Sequence, residues 1–349
     1  MARFLPAPAR AGLSLVSLML GLGIALPTEA TFSIVARDPA TATLGVAVQS
    51  KYFGVGTVVP HARAGVGALA TQARGSLEHG RRGLALLAEG VGPTETLRRL
   101  LADDPLRAER QLGIITPQGT PLTHSGDQTL PWSGGRTGMH YAVQGNLLAG
   151  PEVVAAMAAA FESTPGALSS RLVAALAAGQ AAGGDQRGRQ SAALLVVRAG
   201  AGYQGESDRL VDLRVDDHPA PIRELGRLLD IRLAQLALAR CQALLGAGEA
   251  TTAEDLARAH AEALRATRLD PRNDNAWLTL AMLETARGAP AAAAAAGRHA
   301  LLLNPLLKRR LDAAGGEHGL PPTLLQRLLE NPGFHDLWSA LPSPEESAR

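Results

Sequence analysis

Thr31 stands where the sequence changes character. To its left, Arg3 and Arg10 precede the greasy run AGLSLVSLMLGLGIAL (Ala11–Leu26); to its right, TFSIVAR alternates apolar and polar residues in part. The left-hand pattern reads as a signal peptide over residues 1–30: a basic n-region, an apolar h-region, and PTEA ending in a small residue suited to cleavage after Ala30. The run falls short of the roughly 20 apolar residues of a permanent span, so no membrane insertion is expected after cleavage. The expected destination is a periplasm or the cell exterior. Cleavage would leave Thr31 first, with a hydroxyl and a free α-amine on one residue. That pair can perform nucleophilic catalysis without a histidine, because an α-amine of ordinary pKa, about 7.7–8.0, can take the hydroxyl proton. A nearby cation would raise the fraction of free amine by charge repulsion. The fold need only hold a strand end, a cation and oxyanion donors in register.

The elements that must do this lie between Thr31 and about Asp216. TFSIVAR and LGVAVQS flank the turn-like DPATAT as a hairpin, and TVVPHARAGVGALATQA adds strand material. GLALLAEG and TETLRRLLADD have helical spacing, RQLGIITPQGTPLTHSG reads strand, turn, strand, and residues 151–180 hold two packed helices. SAALLVVRAGAGYQGESDRLVDLRVDD closes the half as a hairpin. Strands clustered at both ends with helices between them argue α+β with antiparallel sheets, not a parallel βαβ array. Gly200, Gly202 and Gly205 match G-x-G-x-x-G, but a strand follows where dinucleotide binding needs a helix, so they read as a turn.

From His218 the chain is helical. LDPRNDNAWLTLAMLETARGAPAAAAAAGRHALLLNP resembles a tetratricopeptide repeat: Trp277, Leu280, Ala281, Ala293, Ala300 and Pro305 fall at its offsets, and Pro271 precedes Pro305 by one 34-residue period. Ala247, Ala259 and Ala266 fill the same slots of a weaker preceding copy. The small residues permit close helix approach, and so short an array should lean on the first half, on later helices or on a protein partner.

Composition narrows the remaining classes. A net charge of +2, 3% aromatic residues and no basic run leave little for nucleic acid to bind. Cys241 is the single cysteine, so no intrachain disulfide exists, and its apolar helical surroundings make it core filler. The nine histidines, among them His61, His124 and His140, show no metal-ligand spacing, and no G-x-S-x-G elbow is present. No metal or cofactor is expected.

The string TFSIVARDPATATLGVAVQSKYFGVGTVVPHARAGVGALATQA, with RTGMHYAVQGNLLAGPEVVAAMAAAFE, LAAGQAAGGDQRGRQSAALLVV and LRVDDHPAPIRELGRLLD, resembles the domain-of-unknown-function 1028 family over about Thr31–Asp230. That family is assigned by similarity to the N-terminal nucleophile (Ntn) hydrolases. The resemblance implies an αββα four-layer sandwich over residues 31–230, followed by the tetratricopeptide-like region over 231–349, and amide hydrolysis by Thr31. Arg63, 32 residues on, becomes the leading cation, electrostatic in role because arginine cannot serve as a base, with Lys51 as runner-up. Gln49 and Ser50 end the second strand near an acidic residue and a serine of the proteasome-like branch; Gln49 is no carboxylate, which departs from that pattern. Asp185 and Ser191, in the polar turn before a late strand, are candidate supports for the α-amine, with Arg187 and Arg189 as substrate anchors. Thr71, Gln72, Gly145 and Asn146 could supply oxyanion donors, although turn chemistry also explains Gly145 and Asn146.

The expected function is thus an exported amidase or peptidase-like Ntn hydrolase, for which peptide, acyl-amide and small cyclic-amide substrates, and a homo-oligomer, all stay open. The alternative is a non-catalytic periplasmic binding or scaffold protein that retains the fold and recruits a protein through its repeats.

Overall fold

The protein is described by a computed structural model covering residues 31–246, 251–307 and 322–340. The signal-peptide reading of residues 1–30 and the slot assigned to Ala247 fall outside the described residues. Two antiparallel sheets carry the first half. The larger has the order β10–β9–β2–β1–β8–β7 and the smaller β3–β4–β5–β6. The strands are β1 (Thr31–Asp38), β2 (Thr43–Ser50), β3 (Pro60–Arg63), β4 (Gly67–Gln72), β5 (Gln111–Ile115), β6 (Pro121–Ser125), β7 (Gly134–Gly138), β8 (Tyr141–Asn146), β9 (Ser191–Val197) and β10 (Arg209–Val215). The helices are α1 (Leu77–Ala88), α2 (Pro93–Leu101), α3 (Pro151–Ser163), α4 (Leu168–Ala181), α5 (Pro221–Leu245), α6 (Ala253–Leu269), α7 (Asp274–Ala286), α8 (Pro290–Leu303), α9 (Pro322–Leu329) and α10 (Pro332–Ala340).

The β1–β2 turn forms because the Asp38 carboxylate accepts from the Ala40 N–H at 3.0 Å and the Thr41 hydroxyl at 2.8 Å, a turn built by an aspartate on its own backbone. Its register sets Thr31 opposite Ser50 on β2, while the other edge of β1 sets Thr31 opposite Asn146 on β8. Successive side chains then alternate between faces. Phe32, Ile34 and Ala36 pack with Met157, Phe161, Leu172 and Leu176 of α3 and α4. Val35, Val46 and Val48 meet Ala68, Ala70 and Ile115 of the smaller sheet. That sheet's other face, with Leu69, Leu112 and Ile114, packs against Leu86, Leu87 and Leu100 of α1 and α2. With both faces of the larger sheet covered, its inner strands are apolar almost throughout, which is why their sequence alternation is weak.

Strand β7 has no counterpart among the expected elements. Gly135 is a close-approach residue within it: a Cβ there would lie 2.3 Å from Thr123 Oγ1. Gly200, Gly202 and Gly205 do lie in the β9–β10 connection, where Gly200 and Gly205 take φ of 62° and 79°.

Helix α5 joins the two halves. Ile222, Leu225, Leu229 and Leu233 belong to the core under the larger sheet, whereas Cys241 and Leu245 belong to the helical core. The expected boundary at residue 230 therefore lies inside one unbroken helix. Burial pushes the Cys241 thiol up to about 12, as suits core filler. In the helical region Ala259, Ala266, Ala281, Ala293 and Ala300 are fully buried. The Trp277 indole N–H donates to the Pro271 carbonyl at 2.9 Å, and its ring packs tilted against His299 with 4.2 Å between centroids. No helix among the described residues is long and apolar enough to cross a membrane.

Candidate functional site

Thr31 begins the strand at the middle of the larger sheet, on the face turned toward the smaller one, as its parity with Val35 requires. Its hydroxyl donates to Ser50 Oγ at 3.1 Å, and its carbonyl accepts from Gln72 Nε2 at 3.3 Å. Behind it a buried amide network ties the sheets together. Gln111, first residue of β5, accepts on Oε1 from Gln72 Nε2 (2.7 Å) and Asn146 Nδ2 (3.0 Å), and donates from Nε2 to the Gly145 carbonyl and Ser125 Oγ, both at 2.7 Å. Ser33 donates to Gln72 Oε1 at 2.7 Å and accepts from Gln144 Nε2 at 2.6 Å. In so dry a place each bond is strengthened, and each missing one is costly.

The second feature crosses the end of β1. Asp185 bridges Leu148 through the backbone, and its Oδ2 accepts the Lys51 N–H at 2.9 Å. The Gln190 N–H donates to the Ser50 carbonyl at 3.0 Å and that of Gln186 to the Leu147 carbonyl at 3.1 Å. Because Ser50 and Asn146 flank Thr31, this loop lies across the strand end where Thr31 sits. Gly183, with φ of 115°, makes the entry turn that an L side chain would strain. The Asp185 carboxylate is fully enclosed and is gripped by Arg187, Nη2 to Oδ2 at 2.9 Å and Nε to Oδ1 at 3.2 Å.

A cavity of about 210 Å³ adjoins this end, lined by Ala73, Arg74, Glu109, Gln128, Leu130 and Asn146 among others. Arg74 and Glu109 pair across it at 3.0 Å. Nearby, Asp104 is held by Arg110 at 2.7 Å and His79 at 3.3 Å, and the Arg110 guanidinium also reaches the Arg74 carbonyl. Burial opposes the charged form of Asp104, but Arg110, the Leu106 N–H and His79 together hold its carboxyl below the ordinary range. Burial likewise lowers His79, against the pull of Asp104.

Of the residues expected from sequence, Thr31, Gln72, Gly145, Asn146, Asp185 and Arg187 meet here. Others lie elsewhere or are engaged otherwise. Arg63 is exposed and pairs with Gly67, whereas Gln72 ends the same strand five residues away, about 17 Å at strand rise; the antiparallel turn carries it to the opposite end of the sheets. Gln49 shares the parity of Ala47 and faces the helices, where neither amide atom has a protein partner. Thr71 is buried on the helix-facing side of the smaller sheet, its Oγ1 accepting the Ser76 N–H at 2.8 Å, and its own N–H goes to the Val59 carbonyl. The Ser191 hydroxyl donates to the Tyr52 carbonyl and accepts the Val55 N–H at 3.1 Å, pinning that loop. Lys51 is exposed, its backbone on Asp185, and Arg189 lines a larger apolar cavity of about 430 Å³ between α4 and α5. Sequence reasoning missed Ser33, Gln111, Gln144, Arg74 and Glu109. Ser33 carried a usable signal, standing two residues from Thr31 and hence on its face. Among the described residues no cluster of three or more His, Cys, Asp or Glu could hold a metal ion.

None of the curated proteins compared with the chain matches it. A crystal structure of a Silicibacter pomeroyi protein assigned to DUF1028 superposes with a TM-score of 0.53 at 32% identity, covering 57% of this chain and 84% of that one. The model of the family of unknown function DUF1028 matches residues 31–225, more than half of the sequence, and the chain belongs to that family.

Proposed function

We propose that the protein is an exported Ntn-type amide hydrolase whose nucleophile is Thr31, exposed by signal-peptide removal. The observation that carries this reading is the pairing of Thr31, first residue of the central strand, with a loop that sets the Asp185 carboxylate across that strand's end. A new α-ammonium at Thr31 would meet Asp185, and Arg187 on the same carboxylate would supply the cation once assigned to Arg63. The amine then takes the hydroxyl proton as Thr31 Oγ1 attacks an amide carbonyl, the leaving amine departs protonated, and water resolves the acyl ester. Asn146 and Gln72 carry amide N–H groups near the reacting carbon, which would need to leave Gln111 to serve an oxyanion. The stacked sheets with helices outside support an αββα sandwich, and the cavity beside Asn146 supports a compact amide or short peptide as substrate. The 34-residue spacing and buried alanines support a tetratricopeptide-like arrangement of the described helices after residue 230, a kind of module that engages protein partners.

Intact mass of the exported protein should show Thr31 first, and an electrophilic probe that esterifies N-terminal threonine should label it but not Thr31→Ala. Equal labelling of both, or another first residue, sinks the mechanism. One observation favours a non-catalytic binding role instead: the Thr31 hydroxyl is buried and already bonded to Ser50, and the amides beside it satisfy one another. Failure of the probe to label mature wild type would favour that second reading.

A further inference from the structure

The opposite end of the sheets holds a cleft of about 250 Å³ that the proposed chemistry does not use. Four turns build it: β1–β2 with Asp38, Pro39 and Ala42; β3–β4 with Gly65; β5–β6 with Pro117; and β9–β10 with Arg198 and Ala199. Arg37 lines it from the end of β1, on the parity that faces between the sheets. Its Nε is buried without a hydrogen-bond partner, and the same is true of His140 Nδ1. Both nitrogens face the bare Cα of Gly119: a Cβ there would lie 2.5 Å from His140 Nδ1 and 3.2 Å from Arg37 Nε. Arg37, Arg198 and Arg63 on the neighbouring turn take part in no ion pair among the described residues. The local carboxylates are turned elsewhere: Asp38 onto Ala40 and Thr41, and Asp208 onto the Ala64 N–H at 2.8 Å.

We infer that this cleft binds a small oxyanion, a carboxylate or phosphate on a compact body. Arg37 and Arg198 both line the cleft, one from the end of β1 and one from the β9–β10 turn, and guanidiniums present the forked donors that carboxylate and phosphate oxygens match. The walls of Pro39, Ala42, Leu44, Pro117 and Ala199 are apolar and take the body of the ligand. The volume falls below the ~300–1,000 Å³ of ordinary small-molecule sites, which selects a compact ligand over a polymer.

Calorimetric titration of the full chain with inorganic phosphate and, separately, with succinate tests this. At least one probe should bind saturably at one site per chain, and the tighter one names the head group. Arg37→Gln and Arg198→Gln should each weaken it by tenfold or more, and added chloride should weaken it further. Arg198→Gln is a surface change that leaves folding intact, so its result stands even if Arg37→Gln folds poorly. Arg189→Gln, at the other end and in no ion pair among the described residues, should leave the affinity unchanged. No saturable binding of either probe, equal affinity in Arg198→Gln, or an equal loss in Arg189→Gln would overturn the assignment.

Discussion

At the Thr31 end of the sheets, Arg74 faces Glu109, Arg110 faces Asp104, and Arg187 faces Asp185. At the turn end, Arg37, Arg63 and Arg198 take part in no ion pair among the described residues, Asp38 accepts from the Ala40 N–H and the Thr41 hydroxyl, and Asp208 accepts the Ala64 N–H. The same fold thus carries one end where three arginines are each paired with a carboxylate and one whose cations are left for something outside the chain. A closed network fixes geometry before any ligand arrives, which suits chemistry at one atom. An unbalanced cluster is unfavourable by itself and gains by binding, which suits capture.

The largest test of this contrast is removal of a charge from the closed end. Asp104→Asn would leave the Arg110 guanidinium enclosed without its counter-charge and should destabilise the protein by about 3–5 kcal/mol in urea melts; a loss below 1 kcal/mol would mean the network is not a unit. Gln111→Leu comes next. It takes the Gln111 partner from Gln72 Nε2, Asn146 Nδ2 and the Gly145 carbonyl together, so a cost of roughly 2–4 kcal/mol is expected, at about 1–3 for a buried group without a partner. The same variant should also blunt probe labelling of Thr31, because Gln72 is bonded to the Thr31 carbonyl; full labelling with lost stability would separate scaffold from site.

Acid should act more gently and on the same side of the molecule. Burial holds His61, His79 and His124 below their ordinary value of 6.5, against a Val58 carbonyl bond for His61 and the pull of Asp104 for His79. All three lie on the smaller sheet or its helix α1. The unfolded chain protonates near 6.5 and the folded chain only at lower pH, so stability is complete above that value and declines as pH falls from 6.5 through the lowered folded values. Urea midpoints should therefore drop between pH 7.5 and pH 5.5; a flat midpoint would show that these rings stay solvated.

How much of this was legible beforehand depended on whether the signal was local. The hairpin 31–50 could be read from Asp38 and its flanking strands, and Thr31 from the change of composition at Ala30. Asp185 and Arg187 were singled out through the family resemblance, which marks the polar turn before a late strand. Gln111 could not be found so, since its role arises from the stacking of two sheets, and a glutamine at a strand start looks like solvent-facing residue. Arg63 misled for a related reason: a count of 32 residues says nothing about the direction in which β3 runs. Gln49 and Ser50 show the same limit at single-residue scale, because one step along a strand changes the face.

The smallest effect should have the opposite sign and comes from the open end. Arg37→Met keeps an apolar stem of similar reach in the cleft wall but removes the buried Nε that lacks a partner. With no ligand present, deleting an unpartnered donor from a half-buried side chain should leave stability unchanged or raise it by less than about 1 kcal/mol. With phosphate or succinate in excess, wild type should gain thermal stability through ligand linkage and the variant should not. The two proteins would then exchange order on adding the anion. If Arg37→Met instead costs as much as Gln111→Leu without ligand, Arg37 is part of a closed network after all, and the two ends of the molecule are built alike.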